Sequence, residues 1–208
     1  VLPNQAEKEK AIVESAINNA RSGRSVLIGT ASVLQSEALA AAIDQLGQDY
    51  FLLTAKQDKE EADIVARAGA SGAITIATSM AGRGTDIKLD RKCSSEGGLH
   101  VIISELNDSA RVDRQLAGRS ARQGDPGSVE YILAYDDPLL QMYGGILLGS
   151  LNNISSTLPL LRNTMGRWLQ RYCQWRLEKK HAAERRQTLK ADERERKTLA
   201  FLGGDKWR

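Results

Sequence analysis

Two short segments carry residues whose types and spacing could do chemistry. The first, Thr75-Ile-Ala-Thr-Ser-Met-Ala-Gly-Arg-Gly-Thr-Asp-Ile87, is an apolar run that ends in a glycine-flanked arginine and an acid. Gly82 and Gly84 lack Cβ atoms, so backbone amides there can approach an anion closely. Arg83 supplies a planar donor fork, and Asp86 an acceptor for a hydroxyl or a water. The same residues would also make a tight strand-to-helix turn held by an Arg83–Asp86 pair. The second segment, Gln115-Leu-Ala-Gly-Arg-Ser-Ala-Arg-Gln-Gly-Asp-Pro-Gly127, places Gln115, Arg119 and Arg122 at spacings of four and three. On a helix those spacings share one face. Two adjacent guanidiniums repel unless an acid or a polyphosphate lies opposite, so the pair suits neutralisation of a transferring phosphoryl group. A solvated arginine face is the alternative.

These segments need elements to hold them. Asn4 with Glu7 has the spacing of a capping box, and Ile12, Ala16 and Ala20 predict a helix that ends at Gly23. Ser25–Gly29 reads as a buried strand. Ser32 with Gln35 predicts a second cap, and its helix runs through Leu34, Ala38, Ala41 and Ala42 to Gly47. Further strands are expected over Tyr50–Leu53, Ala73–Ala77, Leu99–Ile103 and Val129–Ala134, and helices over Asp58–Ala68 and Asp108–Arg122. Short, nearly all-apolar strands alternating with helices imply a parallel sheet covered on both faces. In such folds ligands meet the loops at the carboxyl ends of the strands, here Gly29–Ser32, Thr78–Asp86 and Ser104–Asp108. His100, inside a strand, reads as a packed core residue.

Charge divides the chain. Residues 1–157 hold 15 basic and 20 acidic side chains, and residues 158–208 hold 14 basic and 6 acidic. The expected organisation is an α/β domain over 1–141, a connector over 142–157 and a helical extension over 158–208. Leu158, Leu161, Met165, Trp168, Tyr172 and Trp175 form a helical apolar stripe expected to dock, and Gly203-Gly204 should end the helix. Cys93 and Cys173 belong to no CxxC pair, which argues against a zinc knuckle and fits a reducing cytosol. No apolar run approaches the roughly 20 residues of a membrane span. A start at Val1 is what a piece of a longer protein would have.

Taken together, ATSMAGRGTDI and QLAGRSARQGDPG closely resemble motifs V and VI of SecA, the bacterial preprotein translocase motor. Val26–Thr30, Ala55-Lys-Gln57, Glu61–Val65, Gly97–His100 and Val112-Asp113 agree as flanks, so the resemblance covers roughly residues 5–140. It implies a RecA-like fold, the second of two domains that clamp one ATP with Mg²⁺. By position, Arg119 and Arg122 would be arginine fingers at the γ-phosphate. Arg83, Gly84 and Asp86 would face the nucleotide, and Gln115 and Gln123 would support the finger helix. The implied partners are a first nucleotide-binding domain, preproteins, a membrane channel and the anionic inner face of the cell membrane, with no specific nucleic acid. SecA usually has glycine where Ala121 stands, and Asn107-Asp108-Ser109-Ala110 replaces a usual His-Glu-Ser-Arg, as in a divergent or accessory SecA-like protein. A superfamily 2 helicase half shares the fold and the paired arginines, but the acidic balance of residues 1–157 does not suit a duplex-tracking surface. A non-catalytic scaffold on the old fold is a third reading, which Ala121 favours. GxxxxGK[ST] and Asp-Glu-x-Asp segments do not occur in the chain. The lysine and magnesium chemistry of hydrolysis is therefore expected from another domain.

Overall fold

The computed structural model describes residues 1–53, 61–78, 86–107, 109–145 and 159–203, with side chains apart from those of 61, 159–163, 165 and 198–203. Helix α1 (Gln5–Arg21) begins where the Asn4 side chain accepts from the Glu7 amide, and α2 (Val33–Asp44) where Ser32 accepts from Gln35. Each cap satisfies an amide that the first helical turn leaves without a partner. Strands β1 (Val26–Thr30), β2 (Phe51–Leu53), β3 (Ile74–Thr78), β4 (Leu99–Ile103) and β5 (Gly127–Tyr131) form one sheet in the order β2-β3-β1-β4-β5. Every pairing is parallel. Helix α3 (Glu61–Arg67), a short α4 (Arg91–Ser95) that the sequence did not signal, and α5 (Ala110–Ala117) complete the wound unit.

Strand alternation sorts the apolar side chains to two faces. Val26, Ile28, Ile74, Ile76 and Ile102 pack with Ile12, Val13, Ala16, Ile17, Leu39 and Ile43 of α1 and α2. Leu27, Ala77, Val101 and Ile103 pack on the other face with Val65 and Leu116. The α2 contact is made by Leu39, Ala40 and Ile43, while Leu34 is 80% exposed. That stripe lies one step from the alanine-weighted one the sequence suggested, because Leu and Ile bury more area than Ala. Gly29 permits the close seat of α5, since a Cβ there would lie 2.1 Å from Leu116 Cδ2.

Beyond β5, Leu2 bridges to Ala134 and the Lys8 ammonium pairs with Asp137 in full burial. Asp137 also accepts from the Ala134 amide at 2.8 Å. A helix α6 spans 138–145. The long α7 (Pro159–Gly203) then packs Leu169, Cys173 and Leu177 against Leu106, Leu133, Leu139 and Leu140. Of the described members of the expected stripe only Tyr172 packs against this cluster, half-buried, while Trp168 and Trp175 are 61% and 49% exposed. Trp168 instead stacks on Tyr172 at 5.7 Å, and Lys179 lies 4.0 Å over the Trp175 ring. Residue 158 and the side chains of Leu161 and Met165 lie outside the described residues.

Candidate functional site

The arginine segment is shaped by where α5 stops. The expected helix to Arg122 ends at Ala117, with Gly118 as its cap. The Gly118 amide donates to Arg114 O at 2.8 Å, and those of Arg119 and Ser120 donate to Leu116 O and Ala117 O, each at 3.1 Å. These bonds tighten the chain into a turn. Ser120 Oγ donates to Leu99 O at 3.0 Å, clamping the turn against the first residue of β4. The backbone then passes through left-handed conformations at Ala121 (φ 56) and Gln123 (φ 53). Gly127 must be glycine, because a Cβ would lie 2.1 Å from Ser120 Oγ. Arg119 and Arg122 consequently leave the helical face that Gln115 occupies, which corrects the spacing-based expectation. Gln115 is exposed on α5 and Arg119 is half-buried in the turn.

The same turn reaches back to the other flagged segment. Arg122 Nη1 donates to Asp86 Oδ1 at 3.0 Å, and Gln123 Nε2 to Asp86 Oδ2 at 2.9 Å. Arg122 Nε donates to Gly118 O at 2.6 Å, which fixes the plane of the guanidinium. One carboxylate thus holds two donors from consecutive residues, with side chains 43% (Arg122) and 35% (Asp86) exposed. Arg83 and Gly84 lie outside the described residues. The cluster does not sit at the carboxyl ends of the strands as a whole. The turn connects α5 to the amino end of β5, whereas Ser104 and Gln35 meet at the opposite edge, where Ser104 Oγ donates to Gly29 O at 2.8 Å.

Chemically, the cluster is an oxyanion held by a guanidinium and an amide. Its donors would serve a phosphate as readily as the Asp86 carboxylate, since both offer paired oxygens to a planar fork. Because the pair is half-exposed, it contributes about 0–1 kcal/mol, and exchanging one oxyanion for another costs little. Among the described residues no group of three His, Cys, Asp or Glu could hold a metal ion.

A second polar cluster lies on the other side of α5, and the sequence did not assign it a role. Asp113 is 2% exposed. It accepts from the Asn107 amide at 3.1 Å, from Asn107 Nδ2 at 2.7 Å, and from Gln174 Nε2 of α7. Burial raises its pKa above the ordinary carboxylate value despite those donors. The signal was present in the spacing: Asp113 and Leu116 lie three apart, so an acid shares the core-facing stripe of α5. His100 is buried as expected, bonded to Ser128 Oγ at 2.7 Å and Glu130 Oε2 at 3.3 Å. That bond is the main reason the Glu130 pKa is lowered.

The family model described as "SecA P-loop domain" matches residues 1–96 and 90–157. Protein translocase subunit SecA 3 of Magnetococcus marinus is 43% identical over 201 residues, which is 96% of this chain and 30% of that protein. Protein translocase subunit SecA 2 of Bordetella avium is 45% identical over 205 residues, 98% of this chain and 31% of its own length. The chain thus spans about a third of these relatives. A chain in the crystal structure of the E. coli DEAD-box protein SrmB bound to regulator of ribonuclease activity A superposes with a TM-score of 0.54 at 18% identity, over 70% of this chain and 79% of that one. That likeness identifies the α/β fold as RecA-like.

Proposed function

The chain belongs to the SecA family, and on that premise we propose that it is the second nucleotide-binding domain of an ATP-driven preprotein motor. In this reading residues 1–141 form the motor domain, 142–157 a connector, and 158–208 the start of a helical scaffold. The observation that carries it is the joining of the two flagged segments by one carboxylate, Asp86, to Arg122 and Gln123. Arg122, with Arg119 beside it, is poised to exchange Asp86 for the γ-phosphate of an ATP held by a first domain. Asp86 then serves as the resting partner of the finger, and the resemblance assigns Arg83 and Gly84 to the same nucleotide. Gln123 supports the finger from the turn. Gln115 would contact the first domain rather than the finger, because α5 carries it to the surface.

ATP supplies the transferable phosphoryl group. Its Mg²⁺ is assigned to acids of the first domain, since an Asp-Glu-x-Asp segment does not occur in this sequence. Without those acids and without a phosphate loop, the chain alone hydrolyses nothing. The whole protein would act on preproteins at a membrane channel, from the cytoplasm, along the anionic inner face of the cell membrane. A superfamily 2 helicase half is the alternative, supported by the fold alone. Salt-dependent binding of single-stranded RNA would favour it.

Calorimetry tests the half-site. Titrating Mg-ATP into this chain should give weak binding and no phosphate release, whereas the full-length protein should bind tightly and turn over. Micromolar affinity, or turnover by the chain alone, contradicts the reading.

A further inference from the structure

Helix α7 presents a polar stripe beside its docked face. Arg167, Gln170, Arg171 and Gln174 recur at helical spacings, and they meet Ala110, Asp113 and Arg114 of α5 and Tyr131 of β5 around a cavity of about 410 Å³. That volume lies within the range of small-ligand sites. The lining holds three guanidiniums and one carboxylate. The carboxylate, Asp113, is already engaged by Asn107 and Gln174. Among the described residues no ion pair ties Arg114, Arg167 or Arg171 to an acid. The three guanidiniums are exposed to solvent, and among the described lining residues they leave an excess of two positive charges that no ion pair neutralises.

We propose that this cavity binds a phosphoryl group carrying two or more negative charges, a phosphomonoester or a diphosphate, clasped by Arg114, Arg167 and Arg171. Guanidinium forks pair bidentately with phosphoryl oxygens, and a dianion cancels the excess where a single carboxylate would leave half of it. Neutral donors complete the recognition. Tyr131 lines the cavity beside Gln170, and burial, helped by the Asp113 charge, raises the pKa of its phenol, so the hydroxyl stays protonated at neutral pH. The site uses none of Asp86, Arg119 or Arg122. A ligand there would bridge α5, which leads into the arginine turn, to the long helix.

The phosphoryl group could belong to a soluble molecule or to a lipid headgroup, and one experiment separates the sources. The purified chain is titrated with sodium pyrophosphate by calorimetry at constant ionic strength. It is also co-sedimented with phosphatidylcholine vesicles doped with phosphatidic acid or, as a monoanionic control, with phosphatidylglycerol. We expect one pyrophosphate per chain, weakened about tenfold or more by Arg171→Gln and by Arg114→Gln, and unchanged by Arg185→Gln elsewhere on α7. Circular dichroism verifies that each variant is folded, and Arg167→Gln replaces any that is not. Capture by phosphatidate vesicles with the same arginine dependence, without pyrophosphate binding, assigns the headgroup source. The proposal is overturned by binding to neither probe, by equal loss in Arg185→Gln, or by loss in Arg122→Gln with Arg171→Gln unaffected. Because Arg122 serves as the marker of the proposed ATP site, the failure of one site is distinguishable from that of the other.

Discussion

Asp86 and Arg122 lie 36 residues apart in sequence and 3.0 Å apart in space. That contact fastens the turn after α5 to the segment that follows β3. Because both side chains are half-exposed, Asp86→Asn should lower folding stability by no more than about 1 kcal/mol in urea unfolding. A loss well beyond that range would make the pair a structural fastener, too costly to exchange for a ligand.

Ala121 sits at φ 56, in the region an L side chain avoids. The left-handed conformation costs alanine about 1–2 kcal/mol, and glycine returns about 0.5–1 kcal/mol through its freer unfolded chain. Ala121→Gly should therefore stabilise the chain by roughly 0.5–1 kcal/mol, read as a raised thermal midpoint. An unchanged or lowered midpoint would mean that the turn relaxes around the alanine.

Gly29 and Leu116 form a matched pair across β1 and α5. Gly29→Ala forces a methyl into Leu116 and should cost about 1–3 kcal/mol. Adding Leu116→Ala opens that space, so the double variant should lose less than the sum of the singles. Additive losses would show that the helix shifts instead.

The buried Asp113 gives stability a defined pH dependence. Its folded-state pKa is raised by burial above the ordinary value of 3.8, so the folded chain retains a proton that the unfolded chain releases. Its contribution is fully present below the unfolded pKa and is lost as pH rises through the folded one. Urea unfolding across this window should show wild-type stability falling relative to Asp113→Asn, which has no proton to lose. Parallel curves would refute the shift.

What the sequence discloses here depends on how local the cause is. The caps at Asn4 and Ser32 and the apolar runs of β1, β3 and β4 are written in neighbouring residues, and each is found within a residue or so of its place. The end of α5 is not local. The Gln115–Arg119–Arg122 spacing continues a helix on paper, while Ser120 bonding to Leu99 pulls the chain into a turn. The docked face of α7 is ambiguous for another reason. Trp168–Tyr172 and Leu169–Cys173 both recur at four, so period alone cannot choose between them. Shape chooses Leu169, Cys173 and Leu177, with Tyr172 half-buried beside them, and leaves Trp168 to stack on Tyr172 and Trp175 to lie under Lys179. In the candidate site, both partners of the Asp86–Arg122 pair were legible as residues, but their contact was not, because 36 residues of sheet and helix intervene.

The most direct test of the central claim is single-turnover ATP hydrolysis by the full-length protein carrying Arg122→Ala, with ADP affinity measured alongside. An arginine finger contributes about 10³–10⁵ in turnover. The variant should lose turnover on that scale while its ADP affinity changes little, and Arg122→Lys should not rescue it, because a point ammonium cannot reproduce the planar fork. Near-normal turnover in Arg122→Ala, or a loss that only follows weakened ADP binding, would contradict the account.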